Sequence, residues 1–123
     1  MTRSVGTKTL EMLECDVWPV PDYPSRLVKK AHALRKTPLD DFTVEDLRLM
    51  IGQSIGLQYL LPRAMAVLAN DPLAEGDFYP GDLLVQVVKI SPRPQLAPLC
   101  ARALADPRQQ FSKEDYARLT NLL

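Results

Sequence analysis

Eleven prolines in 123 residues, set in a chain with almost no strand signal, constrain this sequence more than any other feature. Proline removes a backbone donor and fixes φ, so each one ends or bends a regular element. No stretch alternates apolar and polar residues for long, and no Asn-Gly or Asp-Gly pair marks a hairpin turn. Apolar residues recur instead at helical spacing between the breaks. The expectation is an all-α fold: a compact single-domain bundle of five to seven short helices spanning residues 1–123.

The breaks and caps place the helices. Residues 9–14 form one short turn or helix, and the three prolines of 16–25 make that segment an extended loop. Ser25 caps a helix over 26–35, with Leu27, Val28, Ala31 and Leu34 on one face and Lys29, Lys30, Arg35 and Lys36 mostly on the other. Thr43 caps the next, with Glu45 and Asp46 in its first turn, where the helix dipole favours acids. Leu47, Met50 and Ile51 form its apolar face, up to a break bracketed by Gly52 and Gly56. A further helix starts at Leu57 or at Pro62, which would then sit in its first turn, and runs to Asn70. Residues 71–80, DPLAEGDFYP, cannot be helical throughout. Helix resumes at Gly81 or Asp82 with Leu83, Leu84, Val87 and Val88 inward, and breaks at 91–94. It returns over 95–105 and again after the cap Ser112, with Leu119, Leu122 and Leu123 on the last face.

Composition narrows the function. An apolar fraction of 46% is too high for disorder, and no apolar run approaches the ~20 residues that span a bilayer. The first residues lack the apolar core of a signal peptide, so a cytoplasmic location is expected. Cys15 and Cys100 are far apart and outside any C-x-x-C motif, so both are expected as thiols, Cys100 within the core. The lone histidine, His32, has no partner pattern of a catalytic base, and no nucleophile or phosphate-loop motif is present. One His and two scattered Cys do not make a zinc site, and Asp71, Glu75 and Asp77 miss the calcium-loop spacing. Catalytic residues, metal and cofactor are therefore all expected to be absent. A carboxylate pair, Asp77 and Asp82, is the one hydrolytic alternative. The basic face of 26–36 could touch RNA, but the capped helix and glycine break at 43–56 are too acidic for a recognition helix. Neither nucleic acid nor membrane is an expected partner.

Charge is zero overall but unevenly distributed. Residues 38–82 hold eight acids against Arg48 and Arg63, between basic ends. Residues 71–82 concentrate this: Asp71, Glu75, Asp77 and Asp82 with the aromatics Phe78 and Tyr79, bounded by prolines and glycines. Two readings stand. In one, the acids solvate a turn, Asp82 caps the next helix and Phe78 plugs the core. In the other, all six residues form a protein-binding surface, the aromatics supplying buried area and the acids steering a basic partner.

The stretches HALRKTPLDDFTVEDLRLMIGQSIGLQYLLPRAM (32–65) and LANDPLAEGDFYPGDLL (68–84) resemble a family of contact-dependent growth inhibition (CDI) immunity proteins. The likeness runs over roughly residues 9–88. Beyond residue 90 the family tends to be aromatic-rich, where this chain has Pro92, Pro94 and an alanine-rich helix. The resemblance implies a monomer or weak dimer that stays in the cytoplasm and binds the C-terminal domain of a toxin delivered by a neighbouring bacterium. Many such toxins are nucleases, and a nuclease is basic around its active site. The alternative is an adaptor or regulatory binding module with no toxin partner. Family likeness does not name the toxin.

Overall fold

A computed structural model describes residues 5–19 and 25–123. Every regular element among them is a helix: α1 (Leu10–Glu14), α2 (Arg26–Arg35), α3 (Val44–Gly52), α4 (Leu57–Asn70), α5 (Asp82–Ile90), α6 (Ala97–Ala105) and α7 (Lys113–Thr120). Short 3-10 turns occupy Val5–Thr7, Leu39–Asp41 and Pro94–Leu96. The all-α expectation holds. The chain divides into two compact units, Met1–Phe42 and Thr43–Leu123.

In the first unit, Thr9 caps α1 by accepting from the Met12 amide, and Ser25 caps α2 by accepting from Val28. Residues 16–19 are irregular, and the rest of the expected loop, 20–24, lies outside the described residues. The buried face of α2 differs from the sequence expectation. Ala31, Leu34 and Arg35 are buried, whereas Leu27 and Val28 are exposed. Helix α1 packs on α2, and at five residues it is about 7.5 Å long, against about 15 Å for α2. It cannot cover both ends.

Arg35 was expected on the solvated face and is instead 1% exposed. Its guanidinium stacks on Trp18, 4.3 Å from the ring centroid, and donates to the Glu14 carboxylate and the Asp16 carbonyl. Its Nε has no hydrogen-bond partner. His32 meets the same indole edge-on, with centroids 5.3 Å apart, which gives the lone histidine a packing role.

In the second unit, α5 is the central element. It packs on α3, α4 and α7, and Leu83, Leu84, Val85, Val87 and Val88 are all buried. A helix apolar almost all round must sit inside. Leu47, Met50 and Ile51 meet it from α3, where Thr43 and Asp46 close a reciprocal capping box. Leu60, Ala64 and Leu68 form the buried stripe of α4. Helix α4 begins at Leu57, so Pro62 lies in its interior rather than its first turn. The missing N–H leaves the Gln58 carbonyl without its i+4 donor. Both residues are exposed, so water can satisfy it. Cys100 is buried, and burial pushes its thiol pKa up. Leu119 is buried, whereas Leu123 is exposed beyond the end of α7.

Gly81 precedes α5 with φ +88, and a Cβ there would lie 2.6 Å from the Phe111 ring. Gly81→Ala therefore combines left-handed strain with a steric clash and should cost about 1–2 kcal/mol, read from a thermal melt. An unchanged melting temperature would show that Phe111 yields without cost.

Candidate functional site

The loop between α4 and α5 carries five of the six residues singled out in the sequence, the sixth, Asp82, opens α5, and the structure divides the six into two sets. Asp82, the first residue of α5, does not cap its helix. Gly81 holds the N-cap position without a side-chain bond. The Asp82 carboxylate, 2% exposed, turns back to the loop and accepts from the Gly76 amide at 2.7 Å and the Phe78 amide at 3.1 Å. The Asp77 amide between them donates to Glu45 Oε1 at 2.9 Å. Three successive amides thus converge on two carboxylates, an anion-binding nest filled by the protein's own side chains. The approach is close: a Cβ on Gly76 would lie 2.5 Å from Glu45 Oε1. A larger residue there would have to push the Glu45 carboxylate aside.

Arg48 completes the arrangement. Its Nε donates to Glu45 Oε1 at 2.7 Å and its second nitrogen to Oε2 at 2.5 Å, with Nε 4.0 Å from Asp82. These carboxylates, Glu45 first, hold the Arg48 pKa above its ordinary value. The guanidinium carbon lies 4.3 Å from the centroid of the Phe78 ring. Phe78 is therefore not a core plug. It is 66% exposed, with a fixed cation beneath its ring. Glu75 and Asp77, just before it in the chain, are exposed as well.

The other two residues face the C-terminal helices. The Tyr79 hydroxyl donates to Asp115 of α7 at 2.8 Å, and its ring meets Phe111 edge-on. Burial, then the bond to Asp115, pushes the phenol pKa up, so it remains a donor. Asp71 pairs with Arg108 at 2.9 Å, and Arg108 also grips Asp106. The Arg108 guanidinium beside Asp71 holds that carboxyl below the usual range. Of the six, then, Glu75, Asp77 and Phe78 face outward, Asp82 shapes the loop, and Asp71 and Tyr79 fasten it.

Two contributors were not singled out from the sequence. The sequence marks Glu45 as a first-turn acid and one of the eight acids of the band, and Arg48 as one of its two cations. Their i,i+3 spacing on a helix is a pairing signal that could have joined them. Nothing in sequence joins Glu45 to the amide of Asp77, 32 positions on. Among the described residues no group of His, Cys, Asp or Glu is placed to hold a metal, and no helix is long and apolar enough to cross a membrane.

The second unit is thus an all-α scaffold displaying a stitched loop of acids and one outward aromatic. The family profile of the CDI immunity proteins matches residues 12–95, more than half of the chain and all of that loop. The chain belongs to the CDI immunity protein family, and membership supports an immunity role. Comparison with curated proteins and with solved structures returned no match.

Proposed function

We propose that this protein binds a cognate CDI toxin domain and neutralises it in the cytoplasm, with Glu75, Asp77 and Phe78 in the contact surface. The observation that carries the reading is the loop itself: an exposed aromatic flanked by exposed acids, fixed in place by Asp82, Glu45 and Arg48 before any partner arrives. Pre-organisation lowers the ordering cost of binding. Local negative charge raises the rate of encounter with a basic surface. A nuclease offers such a surface around its phosphate-binding site. Occluding that site, or substrate access to it, requires no chemistry from the inhibitor.

The test is calorimetric titration against the toxin domain encoded beside this gene. Wild type should bind at sub-micromolar concentration, with affinity falling as salt rises. The double variant Glu75→Lys/Asp77→Lys should bind at least tenfold more weakly and lose most of the salt dependence, with unchanged helical circular dichroism. Asp71 is left intact, because its reversal would also break the Arg108 pair. Undiminished binding by the double variant would place the contact surface elsewhere. No binding by wild type at micromolar concentration would remove the toxin reading and leave the adaptor.

A further inference from the structure

The fold uses one face of the Phe78 ring and exposes the rest. Arg48 covers the inner face, its own edge occupied by Glu45. An aromatic face is electron-rich on both sides, and a cation placed over it is attracted by the ring quadrupole. The charges around the ring favour such a cation. Among the described residues of this arrangement, Glu45, Asp82, Glu75 and Asp77 carry four negative charges against the one positive charge of Arg48. Glu45 binds Arg48 in a bidentate pair, so the inner guanidinium presents no bare charge to a second cation on the opposite side.

We propose that the outer face of Phe78 seats a cationic side chain of the protein partner, an arginine in first place, with Glu75 and Asp77 accepting from its N–H groups. The proposal rests on the reading of this surface as the toxin contact. Arginine fits better than lysine because a guanidinium can lie flat on a ring while its in-plane N–H groups point outward to carboxylates; an ammonium is a compact point charge. Arg48 already combines the two contacts on the inner face, its guanidinium carbon 4.3 Å from the Phe78 centroid and its nitrogens bonded to Glu45. The partner's residue would repeat them from outside. Arg48 then acts as a positioning residue: it holds the ring and does not itself touch the partner. Phe78 is exposed, so its replacement removes no core contact.

The experiment measures Kd for the toxin domain encoded beside this gene against wild type, Phe78→Ala, Phe78→Leu and Phe78→Trp, at two salt concentrations, with thermal melts of each variant. Phe78→Ala should weaken binding at least thirtyfold. Phe78→Leu, which keeps apolar area without a ring, should still lose tenfold. Phe78→Trp, the strongest cation acceptor, should bind as tightly as wild type or better. Leucine binding as well as phenylalanine would reduce the contact to apolar area and overturn the proposal. So would undiminished binding by Phe78→Ala; if Glu75→Lys/Asp77→Lys still weakens binding, the inhibitor reading survives that failure. A wild-type dimer at micromolar concentration that Phe78→Ala dissolves would assign the ring to a second copy of this chain, also overturning it. Absence of wild-type binding would bring down the toxin reading and this inference with it.

Discussion

Replacing Asp82 with alanine should cost about 3 kcal/mol of stability, because the change removes a buried acceptor that serves two donors. The carboxylate is buried and bonds the amides of Gly76 and Phe78, with Arg48 at 4.0 Å. Without it, two part-buried N–H groups lose their partners and Arg48 loses one of its neighbouring carboxylates. The first residue of α5 also loses an acid that the helix dipole favours. Asp82→Asn separates these contributions. It keeps the shape, but one oxygen becomes an NH2 group facing an amide donor. The expected loss is about 2 kcal/mol, intermediate between wild type and alanine. Urea denaturation at neutral pH reads both. Should Asp82→Ala unfold within about 0.5 kcal/mol of wild type, the nest is not what holds the loop. Because Asp82 scarcely reaches the surface, Asp82→Asn should affect the proposed toxin binding through the placement of Phe78 and the loss of one negative charge beneath it, not through a direct contact.

Arg35 gives the second large effect, in the first unit. Arg35→Met keeps the length and apolar stem of the side chain but removes every polar contact. It should cost about 3 kcal/mol. Glu14 lies partly exposed and can regain water, which keeps the loss below that of a fully buried pair. The informative comparison is Arg35→Lys. The guanidinium reaches Glu14 and the Asp16 carbonyl with separate nitrogens while its plane lies on Trp18. A lysine ammonium cannot do all three, so lysine should recover less than half of the loss. Trp18 is the only tryptophan, so its fluorescence reports this cluster directly during unfolding. Full recovery by lysine would show that charge alone matters at this position and that the planar fork does not.

The sequence was most legible where structure is decided locally. Ser25, Thr43 and Ser112 cap the helices expected of them, and each cap bond closes within three residues. Prolines and glycines mark most of the breaks, because their effect on φ needs no partner, while Pro62 lies inside α4. The apolar residues expected inward on α3 and α5 are all buried, since both helices lie in the core, whereas the burial of Asp46, Asp82 and Val85 did not follow from the apolar spacing. The same spacing misplaced Leu27, Val28 and Arg35, because which face of α2 is covered depends on the length and position of α1.

The candidate site shows the same division. The sequence by itself determined that residues 71–80 break the helical pattern and concentrate acids and aromatics. It also carried the family signature, which the profile match over 12–95 upheld. Only the tertiary structure decided what each side chain does there. Asp82, read as a cap and as a contact, is a buried acceptor; Asp71 and Tyr79 are engaged with residues 37 and 36 positions away. Phe78, read as core or anchor, lies outside with a cation beneath it. The reason is range. A cap or a proline acts through bonds set by neighbours in the chain. The role of a carboxylate depends on which donors the fold brings within 3 Å, and in this loop those donors and their acceptors lie on different elements.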